Sequence, residues 1–143
     1  TASPLQLAQA YSVFANEGNL KDFRLYIDNL DNLYQQRVIS RDTADDVLDS
    51  LKLVVSDGTG SLAKISNFEV AGKTGTSHKT SSKGGYDQSK YIASFVGIAP
   101  LRTKRLTIFV NIDEPGLNNY SGGDVAAPLF AAISNDVLNY LNE

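Results

Sequence analysis

Apolar positions along the chain change period twice, and the changes mark its elements. Leu7, Ala8, Tyr11, Phe14 and Ala15 recur at helical spacing behind Ser3, a natural N-cap, and Pro4, whose missing N–H costs nothing at the first helical position. Gly18 supplies the stop. Residues 19–40 are mixed, with short strand-like pieces around Arg24–Ile27 and Gln36–Ile39 and a polar Asp/Asn-rich turn between them. Ala44, Val47, Leu48, Leu51, Val54 and Val55 then form a second stripe, which predicts a helix over 43–55 running into the breaker cluster Asp57-Gly58-Thr59-Gly60. After it the period changes, and Phe68–Thr74, Tyr91–Ala99 and Leu106–Ile112 predict three strands. Thr76–Ser89, rich in Ser, Thr, Lys and Gly, reads as a long loop, and Pro100–Lys104 as a short hairpin-like connection. A third helical stripe, Ala126, Leu129, Phe130, Ile133, Val137, Tyr140 and Leu141, is entered through Gly122-Gly123 with Pro128 in its first turn.

This order predicts an α+β fold, an antiparallel sheet packed against an N-terminal and a C-terminal helix. Such a sheet has two faces. The outer helices are expected to cover only one of them well, so a missing layer fits the pattern.

Composition narrows the chemistry. The 143 residues can enclose a core, and 42% apolar with 20% charged residues is a globular balance. A formal charge of −3 gives no sign of a nucleic-acid surface. With no Cys there is no disulfide, thiol nucleophile or cysteine metal site, and the single His78 leaves little for a His-based metal centre. No metal or cofactor is expected. The absence of Met predicts a mature chain or a fragment. No stretch approaches the ~20 apolar residues of a membrane span.

Gly72-Lys73-Thr74-Gly75-Thr76 is the sharpest local feature. In a phosphate-binding loop, a glycine would stand where Asn67 is, and a helix would begin at the threonine. Gly-Thr-Ser-His-Lys-Thr-Ser-Ser follows instead, which is no helix, and the preceding run is strand-like. The other chemistry places Lys-Thr-Gly on an edge strand lining a serine-acylation cleft. There the lysine supplies a fixed cation, and it holds a substrate carboxylate together with the threonine hydroxyls. The glycine lets an extended substrate lie along the strand, and a following N–H faces the developing oxyanion.

A wider set of motifs runs in order along nearly the whole chain. It comprises Thr1-Ala2-Ser3-Pro4-Leu5-Gln6-Leu7-Ala8, Arg37-Val38-Ile39-Ser40, Gly58-Thr59-Gly60, Ala71-Gly72-Lys73-Thr74-Gly75-Thr76, Tyr91–Pro100, Asp113-Glu114-Pro115 and Tyr120–Phe130. With these the sequence resembles the C-terminal part of the transpeptidase domain of class B penicillin-binding proteins, of the septal, cell-division type. The resemblance implies a partial β-lactamase-like fold. It also implies a parent that cross-links peptidoglycan stem peptides and is acylated by β-lactams. Lys73 and Thr74 would be catalytic. Gly75 and Thr76 would bind the D-Ala-D-Ala end, with Thr76 giving its N–H to the oxyanion. Tyr91 and Tyr120 match positions of aromatic side chains beside the cleft; packing on the sheet and anchoring a turn is the other reading of that pair. Ser121 departs from the bulkier aromatic common there.

Relatives acylate a serine in Ser-x-x-Lys, helped by Ser-x-Asn, both well upstream of Lys-Thr-Gly. Ser61-Leu62-Ala63-Lys64 has the right letters, but it lies next to Lys-Thr-Gly and no Ser-x-Asn occurs. It is read as coincidence, with the nucleophile absent from the chain and the chain inactive alone. The resemblance further implies a periplasm-facing domain held at the inner membrane by an upstream anchor, division proteins as partners, and some self-association through uncovered apolar surface. Two other assignments use the same residues: a non-catalytic recognition module, and a β-lactamase or penicillin sensor. His78 reads either as a general base or, having no acidic neighbour in sequence, as a solvated loop side chain. Lys79, Lys83 and Lys90 read as a solvated face.

Overall fold

The computed structural model describes residues 2–23, 34–82, 84–116 and 118–142. Helix α1 spans Pro4–Ala15. Ser3 Oγ accepts from the Gln6 N–H at 3.2 Å and Gln6 Oε1 accepts from the Ser3 N–H at 2.8 Å, so two otherwise orphaned donors at the helix entrance are satisfied reciprocally. Short strands β1 (Asn19–Lys21) and β2 (Gln35–Arg37) pair antiparallel. The expected piece at Gln36–Ile39 is thus centred a little earlier, and that at Arg24–Ile27 lies outside the described residues. Helix α2 spans Arg41–Ser56 and starts two residues before the expected position 43, because Ser40 Oγ caps the Thr43 N–H at 3.1 Å.

The sheet holds β3 (Ala71–Thr80), β4 (Tyr86–Ala99) and β5 (Leu106–Asp113), all antiparallel in the order β3-β4-β5. Its first strand differs from the expectation at both ends. Phe68 belongs to an isolated bridge with Ile65 rather than to β3, and Asn67 between them sits at φ 70°, which no strand accommodates. At the other end β3 continues through His78 to Thr80. The expected loop of Thr76–Ser89 is mostly a ladder in which Thr76 faces Ala93 and His78 faces Tyr91, with a bulge between His78 and Lys79. The hairpin closes where the Ser81 N–H donates to Gly85 O at 3.0 Å, and Gly84 and Gly85 adopt φ of 89° and 73°. Pro100–Lys104 makes the expected short connection to β5.

The helices do not share one face. Phe95, Ala99 and Val110 pack with Phe130 and Leu138 of α3 (Ala127–Asn142), whereas Ala71 and Ile98 on the opposite face pack with Leu48 and Leu51 of α2 and with Tyr11 and Phe14 of α1. Strand alternation explains this. Phe95 and Ile98 differ by an odd number of positions, so they project to opposite sides. Phe95 and Phe130 are fully buried with ring centroids 4.9 Å apart, and their burial is worth about 2–3 kcal/mol each. Gly97 is required beneath that pair, because a Cβ there would overlap the Phe130 ring. Coverage remains incomplete in another sense. Leu129, Ile133, Val137 and Leu141 form an exposed ridge on the outer side of α3, as the expectation of uncovered apolar surface requires.

Candidate active site

Strand β3 is an edge strand, so one side of its backbone is open for pairing. The Lys73 ammonium donates to the Thr74 carbonyl at 3.0 Å, which shows that this carbonyl faces away from β4. The alternation of an antiparallel ladder gives Thr76 the same aspect and puts its N–H and C=O on the open edge. Lys73 Nζ also lies 3.5 Å from Thr74 Oγ1, and among the described residues no carboxylate is paired with it. The edge therefore carries an uncompensated cation.

Thr74 and Thr76 project to the α3 side of the sheet. They line a cavity of about 300 Å³ with Thr59, Ser121, Gly123 and Asp124. Thr59 and Thr74 share a hydroxyl–hydroxyl hydrogen bond of 2.8 Å, and Thr76 Oγ1 accepts from the Gly122 N–H at 3.0 Å. The π-helical turn Gly122–Ala126 that leads into α3 makes this possible, because Ser121 caps it and Gly122 lies directly on the strand. A Cβ on Gly122 would overlap the carbonyl oxygens of Gly75 and Ser94. Gly75 is thus covered by another glycine on one side, while a Cβ of its own would crowd Ser94 Oγ on the other. Sequence reasoning passed over Thr59 and Asp124. The Gly-Thr-Gly signal was visible, but nothing local says that its threonine reaches across fifteen positions to Thr74.

Tyr91 and Tyr120 come together. Their rings stack with centroids 4.1 Å apart at 22°, and His78 packs against the other face of Tyr91 at 4.6 Å and 39°. His78 is therefore a half-buried strand residue rather than a solvated loop side chain, since β3 continues past the point where a loop was expected. Its Nδ1 is buried without a hydrogen-bond partner among the described residues. Lys79 is half-buried rather than part of a solvated face, whereas Lys90 stays exposed, and both are ion-paired. Lys79 Nζ pairs with Asp113 at 2.9 Å and Glu114 at 2.7 Å, and Lys90 reaches Glu114 at 3.1 Å. These pairs fasten the far end of the hairpin to the end of β5. The Glu114 carboxyl is held below its ordinary range by the hydrogen bond from Lys79, then by that from Lys90. The Lys79 ammonium is pushed up by Glu114 and Asp113. Lys83 lies outside the described residues.

Ser61 opens a short 3-10 turn, Ser61–Ala63, on the surface. Among the described residues no hydrogen bond joins its hydroxyl to Lys64 Nζ, and neither residue lines the threonine cavity. Also among the described residues, no cluster of His, Asp and Glu could hold a metal and no helix is long and apolar enough to cross a membrane. The site as it stands joins an open strand edge, a fixed cation, two threonine hydroxyls and an aromatic stack. Such a surface can seat an extended peptide and grip an anion at its end.

Residues 1–135 match the family model of the penicillin-binding protein transpeptidase domain, and the chain belongs to that family. It is 36% identical over 146 residues to peptidoglycan D,D-transpeptidase FtsI of Buchnera aphidicola subsp. Baizongia pistaciae, an alignment covering 99% of this chain and 25% of that protein. It is 42% identical over 129 residues to the probable peptidoglycan D,D-transpeptidase PbpC of Pseudomonas aeruginosa, covering 90% of this chain and 22% of that one. The chain thus spans about a quarter of the length of these relatives. The apo transpeptidase domain of Burkholderia pseudomallei penicillin-binding protein 3 superposes with a TM-score of 0.87 at 40% identity, covering 99% of this chain and 43% of that one. Penicillin-binding protein 3 of Mycobacterium tuberculosis complexed with ampicillin superposes at 0.82 and 28% identity, covering 99% of this chain and 35% of that one.

Proposed function

We propose that this chain is the strand-side wall of the active site of a serine D,D-transpeptidase that cross-links stem peptides during septal peptidoglycan synthesis. The observation that carries the reading is the Lys73 ammonium, which no carboxylate among the described residues neutralises, beside the Thr74 hydroxyl on an open edge strand, with Thr76 one pleat further on. A D-Ala-D-Ala terminus lies along β3 as an added strand. Its carboxylate is gripped by Lys73, Thr74 and Thr76, and the Thr76 N–H donates to the oxyanion formed on acylation. Tyr91 and Tyr120 wall the cleft beyond it.

The nucleophilic serine comes from sequence outside this chain, as do the membrane anchor and the surfaces that meet other division proteins. β-Lactams enter as substrate mimics, in keeping with the ampicillin complex of the M. tuberculosis relative. On this reading the domain works on the periplasmic side of the inner membrane. Fluorescent penicillin tests the assignment. The full-length gene product takes a stable covalent label that Lys73→Ala abolishes, and the 143-residue chain alone takes none. Labelling of the isolated chain at Ser61 would overturn the assignment of the nucleophile. Rapid release of the label would replace the transpeptidase with a β-lactamase.

A further inference from the structure

The cavity that is to hold a carboxylate already has one in its wall. Asp124 lines it together with Thr59, Thr74 and Thr76. The carboxylate is held in place: Ser121 Oγ donates to Asp124 Oδ2 at 2.7 Å and accepts from the Asp124 N–H at 3.1 Å. No ammonium or guanidinium among the described residues pairs with it. A ligand anion between Thr74 and Thr76 therefore meets the Lys73 cation beside Thr74 and a tethered anion in the wall of the same cavity.

We infer that Asp124, tethered by Ser121, determines specificity at this site by opposing ligands that carry their negative charge toward the entrance of α3. The inference rests on the transpeptidase reading and adds to it a charge discrimination. A helix-capping role accounts for the Ser121–Asp124 hydrogen bonds, since an acid in the first turn suits the helix dipole. It does not predict that removing the charge helps a ligand. Neutralising a group that served only the helix lowers acylation or leaves it alone, whereas neutralising an opposing charge raises it for anionic ligands.

The sign decides the matter. Asp124 is exposed, so water and salt screen it, and a like charge sharing the cavity across such a surface slows binding by about three- to tenfold. The measurement is the second-order acylation rate constant of the full-length gene product with benzylpenicillin, which bears a free carboxylate, and with its neutral methyl ester. In Asp124→Asn, which keeps a hydroxyl acceptor for Ser121, the carboxylate-to-ester ratio of rate constants rises about three- to tenfold, and the rise shrinks at high salt. Ser121→Ala, which frees the carboxylate to turn to solvent, moves the ratio the same way by less. A ratio unchanged or lowered in Asp124→Asn overturns the inference while wild-type acylation leaves the transpeptidase reading standing. Absence of any wild-type acylation overturns both.

Discussion

The backbone N–H of Gly122 donates to Thr76 Oγ1 at 3.0 Å, tying the entrance of α3 to the edge strand across 46 positions of sequence. One hydrogen bond thereby fixes both the rotamer of a site threonine and the seat of the helix that walls its cavity. Thr76→Val keeps the shape but leaves the Gly122 N–H without its acceptor, at a cost of about 1–3 kcal/mol. Thr76→Ser retains the acceptor and most of the stability. Denaturant titration of the two variants checks this, and equal midpoints would remove the hydrogen bond from the account.

Gly122 has no room for a side chain. In Gly122→Ala the new methyl meets the carbonyl oxygens of Gly75 and Ser94, so the turn must lift from the strand. Overpacking of this kind costs about 1–3 kcal/mol, and here it also widens the cavity between Thr74 and Asp124. On the transpeptidase reading, acylation of the full-length gene product is expected to fall more than the stability loss alone predicts. The check is to compare the labelling rate with the midpoint of unfolding.

The Lys79–Glu114 pair predicts a pH dependence with a definite sign. Glu114 has its carboxyl depressed from the ordinary value of 4.5 by Lys79 and then Lys90, so its contribution is present above that value and lost as pH falls through the lowered one. Lys79 is raised from 10.5, so its contribution is full below that value and lost as pH rises through the raised one. The thermal midpoint of wild type is expected to exceed that of Glu114→Gln at neutral pH, and the gap is expected to close in acid. A gap that persists well below pH 4 would mean that Glu114 stabilises by something other than charge.

Tyr120 is substantially exposed and makes its ring contact with Tyr91, so its side chain adds little to the core. Tyr120→Ala should leave the unfolding midpoint nearly unchanged while, on the transpeptidase reading, weakening the non-covalent step of β-lactam binding in the full-length gene product, whereas Tyr120→Phe preserves the stack, worth about 0.5–1.5 kcal/mol. Separating binding from the acylation step kinetically tests this. An effect confined to the chemical step would contradict it.

Phe95 behaves differently because it is fully buried against Phe130 and beneath Gly72. Phe95→Ala leaves a void in the layer joining β4 to α3, and about 3–5 kcal/mol of stability is expected to go with it. Unfolding experiments read that loss directly.

The three helices, the Ser3 cap and the Lys-Thr-Gly strand were legible along the chain, because caps and periodicity are local physics, whereas the Ser40 cap that starts α2 at Arg41 was not read. The stretch after Thr76 was not. Serine, threonine, lysine and glycine resemble a loop until β4 is there to pair with them, and ladder pairing outweighs composition. His78 was misjudged for the same reason, since Tyr91 reaches it only through that ladder.

By itself the sequence determined the order of elements, the family and the candidate residues on β3. The tertiary structure alone decided that α1 and α2 lie on one face of the sheet and α3 on the other, because the sheet's layers are set by packing between distant segments. It also decided which side chains share a cavity. Thr59, Thr74, Thr76 and Asp124 come from three separate stretches, and they meet because Gly122 and Gly123 let the entrance of α3 rest on bare backbone.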